Sequence, residues 1–525
     1  MTATRCLLVL VAFFLASPTP LRAQNLSSAQ LEGVEYNLWL GAQQTWELGT
    51  EAEALVESYS PAFAVFANAS LPPPTNASLT GGYNVSTLDP VLQIACNTIA
   101  SRNPVAGPQP LINVTGGAAG DPASIGVAVL LANWTGAEVP PKNTTYNDSS
   151  DAATLTYARA ATEQLNYTLY VVPRTSDGAI SHRIEQVQLW SDSVYMVPPF
   201  LAYYGITTGN QTLLTEAYTQ IKLYRNYLYD SDMSLWQHIV LGDVNNDAGF
   251  WSTGNGWAAA GMMRVLATIV HSPWADSMSS EINDLTSWVQ EIHNGMYGHL
   301  QSNVSLFHNY ANETSTFLDG SSTALVASTV YRLAMLRGVY THLPLAEKCR
   351  QALSGSGSAG VWGSGNGVGP ASTISYSSVG TSPPGGSSSS SLTTTTSRAV
   401  GSQTSTTASS SVSSTSTPVS SYAAPQPSST ALGAGLSHFN SEMWLTPVVD
   451  PYNWSVQGGS SPEGQAFVVE MYAAWRDWVE AGAPGASGGH RRAGAGGALL
   501  AGSHDEVWSV VDPTVDGERS LDASL

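Results

Sequence analysis

The chain has 525 residues, 43% of them hydrophobic and only 11% charged, with 39 acidic residues against 19 basic ones. A formal net charge of -20 excludes a protein that holds nucleic acid or an anionic membrane surface by neutralising phosphates, because the mean field repels both. The length permits one large core with appendages as readily as two or three ordinary domains.

Residues 1–23 have a basic start at Arg5, an apolar run from Leu7 to Leu15 and a small residue, Ala23, at a plausible cleavage point. The run is too short to span a bilayer, so it predicts a secretory signal and a mature chain beginning near Gln24. No later stretch is apolar for long enough to cross a membrane, and the expectation is a secreted, extracellular protein. Thirteen Asn-x-Ser/Thr sequons suit that compartment: Asn25, Asn68, Asn76, Asn84, Asn113, Asn133, Asn143, Asn147, Asn166, Asn210, Asn303, Asn312 and Asn453. Cys6 leaves with the signal. Cys96 and Cys349 remain, able to form one bridge or to stay as buried thiols, and a disulfide framework or a multi-cysteine zinc site is excluded.

From Ser27 to about Leu353 apolar positions recur three or four apart, the period of amphipathic helices. The spacing predicts helices near 28–46, 50–66, 87–101, 121–134, 151–167, 188–204, 210–229, 254–270, 277–297, 319–337 and 343–353. A twelfth, Pro462 to Ala481, has the best marked start: Ser461 to cap, Pro462 at the first helical position and Glu463 favoured by the dipole. Twelve helices joined as hairpins can close into a double ring; a plain helical bundle or solenoid is the alternative.

Between them, residues 354–437 change abruptly to Ser, Thr, Gly and Pro, with Arg398 the one charge. Such a segment cannot bury enough apolar surface to offset its ordering entropy, which predicts a disordered insertion. Residues 438–482 hold one helix, too little for a core, and must return to the body built by residues 24–353. The Gly/Ala-rich tail, 483–525, is expected to be flexible.

Chemistry on sugars calls for carboxyl groups, stacking aromatics and hydroxyl-binding amides or imidazoles. Residues 182–257 concentrate these: His182, Trp190, Asp192, Trp236, His238, Trp251, Asn255 and Trp257. Asp192 is an isolated acid among apolar residues ahead of a Pro198-Pro199 kink. Burial there raises a carboxyl's pKa and suits it to proton donation, whereas the bland reading is a dipole-favoured residue at a helix start. Asp121, ahead of Pro122, reads by itself as an ordinary N-cap. Asp243 to Asp247 imitates a calcium loop but fails it, with glycine one place late at Gly249 and Gly254 where a bidentate Glu is needed. No metal is expected.

His182-Arg183, Leu189-Trp190-Ser191-Asp192, Trp236-Gln237-His238 and the string from Phe250 to Trp257 resemble the unsaturated uronyl hydrolases of glycoside hydrolase families 105 and 88. The likeness is strongest to fungal secreted members similar to unsaturated rhamnogalacturonyl hydrolases. It covers roughly residues 30–350 and resumes at 438–482 with Ser461-Pro462-Glu463-Gly464. The resemblance implies an all-α, (α/α)6-barrel of the six-hairpin glycosidase type, acting as a monomer on an oligosaccharide without a cofactor. It implies Asp192 as general acid and base, Asp121 as the second aspartate, and His182, Trp190, His238, Trp251, Asn255 and Trp257 as substrate contacts. Its reaction hydrates the C4=C5 double bond of a terminal unsaturated uronyl group in lyase-cut pectin. One position departs: Thr253 stands where the family pattern often has the Arg associated with the substrate's acidic end, and Arg183 and Arg264 are the candidates to replace it. The alternatives are inverting hydrolysis of a saturated glycoside by Asp121 and Asp192, or sugar binding without turnover.

Overall fold

A computed structural model describes residues 25–74, 85–102, 105–113, 116–139, 155–356, 422–427 and 431–486. The expected signal, most of the Ser/Thr-rich stretch, nearly all of the tail and sequons Asn76, Asn84, Asn143 and Asn147 lie outside those residues. The chain packs as one unit through Gly485; a second begins at Ala486, its one described residue.

The first six helices are α1 (Ser28–Gly41), α2 (Thr45–Tyr59), α3 (Asp89–Ser101), α4 (Gly126–Thr135), α5 (Tyr157–Tyr170) and α6 (Ser193–Thr208). The second six are α7 (Gln211–Leu228), α8 (Ser252–Val270), α9 (Ser279–Gly298), α10 (Gly320–Arg337), α11 (Leu343–Leu353) and α12 (Pro462–Glu480). The even-numbered helices form a closed ring: α2 packs on α4, α4 on α6, and so on until α12 returns to α2. Each has an odd-numbered helix outside it. This is the (α/α)6-barrel.

Burial separates the layers. In α7 the buried apolar positions Leu214, Ala217, Tyr218, Ile221, Tyr224 and Leu228 form one stripe, while α8 is buried continuously from Ser252 to Ile269. A helix enclosed on all sides carries small and apolar residues all round; an outer one needs a single apolar face.

Local chemistry sets the ends. Ser461 Oγ accepts the Gly464 amide at 3.0 Å, as the cap signal predicts. α1 stops at Gly41, short of the predicted 46, and α2 begins at Thr45, because Gln44 and Glu47 form a reciprocal cap between them. α6 starts at Ser193 rather than near 188: Leu189 and Trp190 pair antiparallel with Val240 and Ile239 instead. The helix continues through both Pro198 and Pro199. Pro198 has no amide for the Val194 carbonyl four residues earlier. That carbonyl faces Gly261 on α8, where a Cβ would sit 2.0 Å from its oxygen.

The ends of the Ser/Thr-rich stretch lie side by side, with Ser356 bridged to Leu436 and the Ser437 amide donating to the Gly355 carbonyl at 2.8 Å. Cys96 and Cys349 are buried free thiols. Among the described residues no helix is long and apolar enough to cross a membrane.

Candidate active site

Alternation of outer and inner helices makes the six inner helices run the same way, so their N-termini share one end of the barrel. Carboxyl groups gather there: Glu47 in the first turn of α2, Asp121 before α4, Asp192 before α6, Asp319 before α10 and Glu463 in the first turn of α12. They feel one another, since Asp192 repels Asp121, and Glu47, Asp192 and Asp319 repel Glu463.

Two of the five serve the scaffold. Glu47 accepts the amides of Gln43 and Gln44, both at 2.8 Å. Asp319 is fully buried and accepts from Thr253, Ser321, Ser322 and the Val449 amide. Thr253 is thereby committed, its hydroxyl 3.0 Å from Asp319 Oδ2.

Asp192 is placed by the two-residue strand ahead of it. The Ser191 amide donates to the His238 carbonyl at 2.9 Å, which sets Asp192 Oδ2 3.5 Å from His238 Nε2. Asp192 keeps 15% of its side-chain surface exposed, while the His238 ring keeps none. Burial pushes the Asp192 carboxyl above the ordinary range, against the neighbouring His238 ring and the Ser191 hydroxyl, which favour the ionised form. Asp192 stands at the N-cap position of α6 but makes no side-chain cap bond.

Asp121 lies deeper. The amides of Ala119 and Gly120 donate to the His182 carbonyl, holding the Asp121 turn against His182, whose Nε2 is 3.7 Å from Asp121 Oδ1. Burial, with repulsion from Asp192, raises Asp121 to about 8, Arg183 opposing. Burial, with the charge of Arg183 and the nearby His238 ring, lowers His182 to about 3. At neutral pH the contact therefore joins a carboxylic acid to a neutral imidazole, not two ions.

Aromatic rings pack on the two histidines that face these acids. Trp190 stacks on His182, with centroids 4.6 Å apart, and meets His238 edge-on at 5.6 Å. Trp251 lies 4.5 Å from His238, and its indole N–H donates to Asn309 at 3.0 Å. A further ring comes from the returning segment: Trp454 sits 5.2 Å from His238 and 5.4 Å from Trp190. Asn309 Nδ2 fixes it by donating to its carbonyl at 2.7 Å. Trp454 is not among the residues expected here from the sequence, where its one signal is an aromatic in a segment too polar for a core.

Six of the eight expected site residues thus come together: Asp121, His182, Asp192, Trp190, His238 and Trp251. The other two belong to the scaffold. Asn255 is fully buried and spends its amide on backbone, accepting the Trp236 N–H at 2.8 Å and donating to the carbonyls of Trp236 and Trp251. Trp257 is 1% exposed and packs edge-on against Tyr195 and Phe467 inside the ring. Lying six residues beyond Trp251, it falls about 9 Å further down α8 at 1.5 Å per residue.

Of the two candidate arginines, Arg264 is sealed in the barrel by Glu57, Glu470 and Glu53 at 2.6, 2.9 and 3.6 Å. Arg183 is the one near the cluster, its guanidinium 5.8 Å from the Trp190 ring centre and paired with Glu185 at 2.6 Å. Among the described residues no group of acids, histidines and cysteines is arranged to hold a metal ion.

Six helix hairpins closed into a ring are the architecture of the six-hairpin glycosidases. Comparison with known proteins makes this particular: residues 144–359 match the model of Glycosyl Hydrolase Family 88. The unsaturated rhamnogalacturonyl hydrolase YesR of Bacillus subtilis is 24% identical over 199 residues, 36% of this chain and 56% of the relative. The chain thus aligns with little more than half of that relative's length. Two solved structures share the fold. A possible GH105 member from Klebsiella pneumoniae has a TM-score of 0.54 at 13% identity, covering 91% of this chain and all of the other. Another from Salmonella enterica has a TM-score of 0.51 at 14% identity, covering 86% and 93%.

Proposed function

We propose that this protein is a secreted hydrolase that removes a terminal unsaturated uronyl residue from lyase-generated rhamnogalacturonan oligosaccharides by hydrating the C4=C5 double bond. The observation that carries the reading is Asp192: a carboxyl with a raised pKa facing Nε2 of His238, whose ring is packed among Trp190, Trp251 and Trp454. An enol ether needs a proton at C4 and water at C5. One carboxyl can do both, giving its proton to C4 and then, as carboxylate, taking one from the water. The hemiketal formed opens and expels the neighbouring sugar. Asp121, largely protonated at neutral pH, can donate a hydrogen bond to a ring hydroxyl, and the indoles supply faces for the sugar. Arg183 is the cation available to a uronate carboxylate.

Export rests on the N-terminal signal pattern and on the sequons. Of the nine within the described residues, eight asparagines are exposed and Asn166 is half-buried, which suits glycosylation.

The test is incubation with lyase-cut rhamnogalacturonan, pectin and glycosaminoglycan fragments, following ultraviolet absorbance of the double bond. Loss of absorbance with the rhamnogalacturonan fragments is expected. Retained absorbance with every fragment would overturn the reading.

A further inference from the structure

His238 is held from one side only. Its Nδ1 lies 2.9 Å from Asp247 Oδ2, and the same oxygen accepts the Tyr310 hydroxyl at 2.5 Å. Asp247 Oδ1 accepts the Gly249 amide at 2.9 Å. The other ring nitrogen, Nε2, is buried without a hydrogen-bond partner and looks at Asp192 Oδ2 from 3.5 Å. Packing fixes this arrangement. The Trp190, Trp251 and Trp454 rings wedge the imidazole, and a Cβ at Gly249 would lie 2.4 Å from the Tyr310 ring, so glycine is what lets the tyrosine reach Asp247.

We propose that Asp247, anchored by Tyr310 and Gly249, is a positioning residue that fixes His238 as the Nδ1–H tautomer and turns a bare Nε2 toward the acid proton of Asp192. A carboxylate accepting three hydrogen bonds has only acceptor oxygens to offer, so the imidazole must supply the hydrogen to Asp247 from Nδ1. The tautomer of a histidine is set by the bond its other nitrogen makes. Nε2 is then an acceptor, and from 3.5 Å its lone pair favours the protonated form of Asp192 until C4 takes the proton. After transfer His238 is unchanged, and the proton from water returns to Asp192. Although partial burial opposes it, the bonds from His238 and Tyr310 lower Asp247 to about 2, so it remains an acceptor throughout the working range. The other titratable and charged groups around the pair are Asp121, His182, Arg183, Tyr224 and Glu463.

The tautomer can be read without turnover. Nitrogen-15 NMR of the histidine-labelled full chain, with His238 assigned by the signals lost in His238→Gln, is expected to show hydrogen on Nδ1 and none on Nε2. In Asp247→Asn the side-chain amide can donate to Nδ1, moving the hydrogen to Nε2. That hydrogen stabilises ionised Asp192, so kcat should fall about 100-fold, the lower end of what general acid help contributes, with little change in KM, and its alkaline limb should move to lower pH. Asp247→Glu, which keeps the carboxylate, should restore the wild-type tautomer. A wild-type spectrum with hydrogen on Nε2, or an unchanged tautomer in Asp247→Asn, overturns the proposal. The kinetic arm rests on the hydrolase reading above and the NMR arm does not, so failure of the substrate and failure of the relay are told apart. The wild-type spectrum carries the test even if Asp247→Asn fails to fold.

Discussion

Asp192→Asn is expected to abolish consumption of the double bond while the barrel stays folded. General acid and base help contributes about a hundredfold to ten-thousandfold, and here both roles fall on one carboxyl, so the loss should lie toward the upper end. The substitution removes little that supports the fold: Asp192 accepts the Ser191 hydroxyl at 3.1 Å and caps no helix amide with its side chain. The pH profile carries the same claim with a definite sign. The first step needs the protonated acid, and burial raises the Asp192 pKa. Activity must therefore persist above the ordinary carboxylate range and fall as pH rises through that raised value. Near-normal turnover by Asp192→Asn, at an unaltered melting temperature, would remove Asp192 from the reaction.

Arg264→Leu is expected to destabilise the barrel by about 3–5 kcal/mol, the cost of removing one partner from a buried ion cluster. Arg264 is 3% exposed and on α8 gathers Glu53 and Glu57 from α2 and Glu470 from α12, with Tyr195 of α6 under its guanidinium at 4.6 Å. Arg332 of α10 adds a second bond to Glu57 at 2.8 Å and one to Asp477 at 2.5 Å. Five of the six inner helices are tied through these side chains. Without Arg264 the carboxyls of Glu53 and Glu470 lose their guanidinium, and each must take up a proton or face its neighbours as an unpaired charge. Urea unfolding measures the effect; a midpoint within error of wild type would show that Arg332 alone holds the cluster.

Much of this architecture is legible in the residues because helix period and caps are local. Each of the twelve helices overlaps a predicted one, although α2, Thr45–Tyr59, begins and ends earlier than the expected 50–66, and Ser461-Pro462-Glu463 opens α12 as its chemistry dictates. What spacing could not show is pairing at a distance. Leu189-Trp190 looks like the start of a helix until Ile239-Val240 lies beside it. Asp247 and Tyr310, 63 positions apart, share a hydrogen bond no motif spells out. The string from Trp251 to Trp257 misled in the opposite way: read as one motif it promised three substrate contacts, but on a helix it descends from the rim into the core. Only Trp251 stays with His238, while Asn255 ties down backbone and Trp257 fills the ring. Arg264, a candidate for the substrate's acidic end, proved to be the centre of a structural cluster for the same reason: its helix position sets its depth.

The most direct test of the central claim is to run the reaction in deuterium oxide on a lyase-generated rhamnogalacturonan disaccharide and examine the released sugar by NMR at early times. Proton delivery from Asp192 to C4 predicts one deuterium at C4, on a single face, appearing in step with the leaving sugar and ahead of exchange in the product alone. Release of the leaving sugar with C4 free of deuterium and the double bond retained would contradict it.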